Sequence, residues 1–67
     1  MAKIQLNGKK ISIKIKFTIH DLLKKYKLTN KKVAIEHNGK IISKINYKKK
    51  YLKKNDKVEI VHFIGGG

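Results

Sequence analysis

Asn55-Asp56-Lys57-Val58-Glu59-Ile60-Val61-His62-Phe63-Ile64-Gly65-Gly66-Gly67 closes the chain, and its reading decides the fold. Asn55-Asp56 is turn chemistry. From Lys57 to Phe63 the residues alternate, with Val58, Ile60 and His62 on one face and Glu59, Val61 and Phe63 on the other. That period of two is the signature of a strand. Three glycines then follow the apolar run Val58 to Ile64 without a break. Glycine adds no side chain to packing and loses the most backbone entropy on ordering. A tail without side chains is, however, suited to threading a narrow slot and presenting its terminal carboxylate to another protein's active site.

Working outward from that strand, Val33 to Glu36 reads as another, followed by the turn His37-Asn38-Gly39-Lys40 and by Ile41 and Ile42. The N-terminal segment repeats the pattern. Ile4 and Leu6 precede Asn7-Gly8, and Ile11, Ile13, Ile15 and Phe17 alternate after it with Ser12, Lys14 and Lys16. Asn-Gly between alternating runs is a strong hairpin signal, because both positions tolerate positive φ. Thr18 is placed as a helix N-cap, with Asp21 in the capping-box position. Ile19, Leu22, Leu23 and Tyr26 form one apolar stripe, Lys24, Lys25 and Lys27 suit the C-terminal end of the dipole, and Leu28-Thr29-Asn30 ends the helix. Between Ser43 and Lys54 no period is clean; Ile45 and Leu52 are expected to anchor a lysine-rich loop, and Tyr26, Tyr47 and Tyr51 to serve as further anchors.

This order predicts an α+β roll: a mixed sheet of four to five strands with one main helix packed on one face. The last strand is expected to join the first in parallel near the sheet centre, since the intervening elements supply the long crossover that parallel pairing needs. Residues 1–64 are expected to form the domain and residues 65–67 a flexible tail. With 67 residues and no cysteine, neither a disulfide nor a thiolate metal site is available. A chain of this size buries only about 60% of its unfolded surface, and eleven isoleucines must supply most of the core. No apolar run reaches the roughly 18 residues that span a bilayer, and Met1-Ala2-Lys3-Ile4-Gln5 lacks a signal-peptide pattern; a soluble, cytoplasmic protein is expected.

The formal charge is +14, and all eighteen basic residues are lysine. Lysine is a hydrated point charge, whereas arginine reads guanine and phosphate bidentately. The coat, densest at Lys48, Lys49, Lys50, Lys53 and Lys54, is read as a solvated surface able to face acidic partners. His20, His37 and His62 lie on different elements without ligand spacing, so no metal is expected. Asp21, Glu36, Asp56 and Glu59 are too scattered for paired-carboxylate chemistry, and no glycine-rich loop precedes a helix as phosphate cradles require. An intrinsic enzyme is not expected.

Asn55 to Gly67, Val33 to Ile42 and Thr18-Ile19-His20-Asp21-Leu22-Leu23 together resemble the ThiS family, the sulfur carrier proteins of thiamine biosynthesis, over essentially the whole chain. The tail is the specific part. The family usually has Gly-Asp where this chain has Asn55-Asp56, and its members are usually far less basic. The resemblance implies a ubiquitin-like β-grasp fold. It implies that Gly67 carries first an acyl-adenylate and then a thiocarboxylate, and that Gly65 and Gly66 give the tail its slenderness. It also implies three partners: an E1-like, ThiF-type adenylyltransferase that uses ATP and magnesium, a persulfide donor charged by a cysteine desulfurase, and a ThiG-type thiazole synthase. No cofactor is expected on the chain itself. Val61, Phe63 and Ile64 are expected to form a docking patch beside the tail, rimmed by Lys3, Lys14 and Lys16. The alternatives are delivery of sulfur to molybdopterin or tRNA, conjugation to proteins, and a lysine-rich RNA-binding module.

Overall fold

Each Asn-Gly pair turns a hairpin. In the computed structural model, which describes residues 1–63, β1 (Ala2–Leu6) and β2 (Lys9–Ile13) pair antiparallel around Asn7-Gly8. Likewise β3 (Val33–His37) and β4 (Lys40–Ile42) pair around Asn38-Gly39. Asn7 and Gly8 have φ of 48° and 84°, and Asn38 and Gly39 have 51° and 86°. Both central positions are left-handed, as the type I′ turn demands. The final strand, β5 (Lys57–His62), lies between the two hairpins, parallel to β1 and antiparallel to β3. The sheet order is β2-β1-β5-β3-β4, so the expected central parallel pairing is present.

One helix, α1 (Ile19–Lys25), covers one face. Its first turn leaves N–H groups that need partners, and each finds one. Ile19 N–H donates to the Lys50 carbonyl and His20 N–H to the Tyr47 carbonyl, both at 3.0 Å. Asp21 N–H donates to the Thr18 hydroxyl at 3.0 Å, while the Asp21 carboxylate accepts from Thr18 N–H at 3.0 Å. The expected capping box is therefore complete. The aperiodic stretch from Ser43 to Lys54 is shaped by the same demand, since its carbonyls serve the helix terminus instead of a strand ladder.

The helix ends in a Schellman motif. Lys27 N–H reaches the Lys24 carbonyl at 3.1 Å and Leu28 N–H reaches the Leu23 carbonyl at 2.8 Å. Lys27, with φ of 58°, occupies the left-handed position where glycine is usual.

The core lies between helix and sheet. Ile4, Ile13, Ile35, Val58 and Ile60 come from the strands, Ile19, Leu22 and Leu23 from α1, and Tyr47 and Leu52 from the connector. Three expectations need correction. β2 stops at Ile13, because the chain turns at Lys16 with φ of 63°, and Ile15 is left 75% exposed. Ile45 is 79% exposed in a short 3-10 turn over Lys44–Asn46, and Tyr47 packs into the core in its place. Tyr26, the helix C-cap, and Tyr51 are also exposed. His62, on the face of Val58 and Ile60 as expected, is exposed at the end of β5. Leu52 is an anchor, as expected.

Replacing Lys27 with glycine relieves the left-handed strain on a side-chain-bearing residue. Lys27→Gly is expected to raise unfolding free energy by about 0.5–1 kcal/mol, less any entropy gained by the unfolded chain, measured by urea denaturation.

Candidate functional site

The last strand, β5, is gripped at its start and in its middle by the asparagines of the two hairpin turns. At its start, Asn38 N–H donates to the Lys57 carbonyl at 2.8 Å, and Lys57 N–H donates to the Asn38 side-chain oxygen at 2.8 Å. Further along, Ile60 N–H donates to the Asn7 side-chain oxygen at 2.7 Å, and the Asn7 amide returns a bond to the Ile60 carbonyl at 3.3 Å. Asn7 N–H adds a bond to the Val58 carbonyl at 2.9 Å. The Asn7 amide thus imitates a strand residue and extends the short parallel ladder of Gln5 with Lys57 and Leu6 with Val58.

Beneath the start of β5 lies a buried polar cluster centred on Asp56. Its carboxylate lies 2.7 Å from His37 Nε2, accepts from the Asn38 amide at 3.0 Å and accepts from Lys53 N–H at 2.8 Å. Burial pushes the Asp56 carboxyl up, but the hydrogen bonds from Asn38, His37 and Lys53 outweigh it and hold the group below its ordinary value of 3.8. From sequence, Asp56 reads only as a turn residue and His37 has no role. The two residues stand nineteen positions apart, and no local spacing signals their meeting.

Of the expected site residues, Val61 opposes Ala34 across β3 and is 58% exposed on the sheet face away from the helix. Phe63 follows the last residue of β5, donates its N–H to the Lys32 carbonyl at 3.1 Å and is also 58% exposed. It borders a cleft whose other walls include Leu23, Leu28, Val33 and Tyr47. The expectation that Val61 and Phe63 share one face is therefore corrected: Val61 lies on the open face, whereas Phe63, beyond the end of β5, borders the cleft beside the helix layer. Ile64, Gly65, Gly66 and Gly67 lie outside the described residues. Among the described residues no three His, Cys, Asp or Glu side chains gather as metal ligands, and no helix is long and apolar enough to cross a membrane.

The comparisons with known proteins converge on one family. Residues 4–67 match the model of the ThiS family. This chain belongs to the ThiS family. It is 49% identical over 65 residues to the sulfur carrier protein ThiS of Bacillus subtilis, covering 96% of this chain and 98% of that one. The crystal structure of the thiamine biosynthesis protein ThiS from Geobacter metallireducens superposes with a TM-score of 0.83 at 26% identity, covering 97% of this chain and 99% of that one. The β-grasp fold expected from the sequence is therefore the fold observed. A thiazole synthase of Magnetococcus marinus is 38% identical over 65 residues, which make up 20% of its length. In that protein a ThiS-like unit forms part of the synthase chain itself.

Removing the Asp56 carboxylate leaves three donors around an empty centre. Asp56→Ala is expected to destabilise the protein by roughly 2 kcal/mol at neutral pH. Because the folded group sits below 3.8, its contribution is full above that unfolded value and is lost as pH falls through the lower folded value. Asp21, whose carboxyl is held down chiefly by the Thr18 N–H, acts in the same window. Urea midpoints measured across that window should therefore lose part of their acid dependence in Asp56→Ala, and only part.

Proposed function

We propose that this protein is a sulfur carrier of thiamine biosynthesis whose reactive group is the terminal carboxylate of Gly67. The observation that carries this reading is the family match through residue 67, joined to a central strand that runs directly toward the glycine tail. The chain is a co-substrate, not a catalyst. A carboxylate is a poor electrophile and must first be activated. An E1-like, ThiF-type adenylyltransferase supplies ATP and magnesium; the Gly67 carboxylate attacks the α-phosphorus, and pyrophosphate leaves. A persulfide sulfur, originating from cysteine through a cysteine desulfurase, then attacks the acyl carbon and displaces AMP. A thiol attacks the donor's own cysteine sulfur in the resulting acyl disulfide, the S–S bond breaks, the donor leaves in a new disulfide, and the transferred sulfur stays on Gly67 as the thiocarboxylate. A ThiG-type thiazole synthase takes up that sulfur. The cytoplasm, where thiols stay reduced, suits each step.

The domain's own part in this chemistry is positional. Gly65 and Gly66 add length without side chains, and Val61, Phe63 and Ile64 are the groups through which the partner recognises the root of the tail. An RNA-binding role finds little support. Two of the three exposed aromatics among the described residues, Tyr26 and Tyr51, stand at opposite ends of α1, one at its C-cap and one bridged to its N-cap Thr18, and so share no stacking platform of the kind that single strands use.

Incubation with the cognate adenylyltransferase, ATP, magnesium and a persulfide donor is expected to exchange one oxygen for sulfur at the terminus, read by intact mass. Deleting Gly67 abolishes the exchange; exchange that survives the deletion sinks the reading. Phe63→Asp is expected to keep the fold, by circular dichroism, while weakening binding to the adenylyltransferase by about tenfold, as loss of a central aromatic contact does.

A further inference from the structure

Glu36 and Glu59 stand directly opposite each other on β3 and β5. They are two of only four acidic residues in a chain that carries eighteen lysines. Directly opposed like charges, with Cβ atoms about 4.5–5.5 Å apart, destabilise a sheet. A single lysine across the strands would relieve them, yet among the described residues no ion pair joins either glutamate to a lysine. The pair lies on the face away from α1, since Val58 and Ile60 on either side of Glu59 are buried against the helix. On that face Ile41 opposes Glu36 from β4 and is 70% exposed, and the exposed Val61 with Ala34 forms the next row toward the C-terminus. Lys57 forms the row before. The face thus grades from basic through acidic to apolar as β5 runs toward its end.

We propose that this face receives an arginine side chain from the enzyme that activates the C-terminus, its guanidinium seated between Glu36 and Glu59 and its stem lying on Val61 and Ile41. The inference rests on the sulfur-carrier reading and adds the chemistry of the recognised group. Two opposed carboxylates offer acceptors that the planar fork of donors of one guanidinium can bond together, whereas a lysine ammonium is a single point charge. Its weaker hydration suits an apolar rim. A second copy of this chain is a poor occupant: it contains no arginine, and its own net charge of +14 repels association. The activating enzyme is the fitting partner because Glu59 precedes Gly67 by eight positions. An extended chain of that length spans at most roughly 28 Å, so a protein docked on this face has the terminus within reach.

Glu36→Gln and Glu59→Gln separate this role from a structural one, because the two roles predict opposite signs. In titration calorimetry with the cognate adenylyltransferase, each substitution is expected to weaken binding by about tenfold or more, as for one partner of a desolvated charge pair. In urea, the free variants are expected to be as stable as the parent or more so, since the repulsion is gone. Wild-type affinity in the variants overturns the proposal, as does a loss of affinity matched by a loss of stability. A change in self-association by sedimentation in place of a change in enzyme binding overturns it as well. Oxygen-to-sulfur exchange on the unmodified chain is scored separately: its absence sinks the carrier reading, whereas its presence beside unaltered variant affinity sinks the arginine site alone.

Discussion

The parallel contact between β1 and β5 is only two residue pairs long, and the rest of the molecule depends on its holding. Every other strand belongs to a hairpin closed by a type I′ turn. β5 has no hairpin partner of its own and must be retained by two neighbours that are themselves far away in sequence. The Asn7 amide lengthens the parallel ladder by pairing with both backbone groups of Ile60. Asn38 performs the corresponding service at Lys57. Two residues that a hairpin needs only for their tolerance of positive φ are thus also the clasps of the central strand. Substituting glycine at either position would preserve the turn and its backbone bond and lose the side-chain part of the clasp.

The buried cluster at Asp56 completes this arrangement from below. Its carboxylate draws together the end of β3 through His37, the turn through Asn38 and the approach to β5 through the Lys53 N–H. A buried charge is tolerated only when its lone pairs are occupied, and here three hydrogen bonds from two separate segments, His37-Asn38 and Lys53, occupy them. The same corner is tied to the first strand, for Asn55 N–H meets the Lys3 carbonyl at 2.8 Å and Gln5 N–H meets the Asp56 carbonyl at 2.9 Å. The start of β5 is therefore fixed by polar contacts, and its middle by the apolar packing of Val58 and Ile60.

Most of the architecture is legible in local chemistry. Asn7-Gly8 and Asn38-Gly39 announce hairpins, Thr18 and Asp21 announce a helix start, and alternation from Lys57 onward announces a strand. What escapes a reading of the sequence is what depends on distance. His37 and Asp56 carry no shared spacing, and the second function of the asparagine amides exists only once β5 lies between the hairpins. Ile15 and Ile45 look like core residues because apolarity alone does not reveal where a chain turns. Lys16 adopts positive φ without being glycine, and the connector is shaped by the carbonyls that the helix needs, a demand invisible in its own residues. The pairing of Glu36 with Glu59 is likewise a matter of register, and four scattered acids give no hint of it.

The central position of β5 also bears on how the domain is made. The strand next to the tail is the last part of the domain to be synthesised, and without it the sheet falls into two separate two-stranded hairpins, each marginal in water. Contacts such as Gln5 with Lys57 close a loop of nearly the whole domain, and such long-range pairings form only once the intervening segment is available. A nascent or truncated domain without β5 therefore lacks the continuous sheet face as well. Foldedness and the presence of β5 become a single condition, because the continuous five-stranded face exists only when that strand is in place.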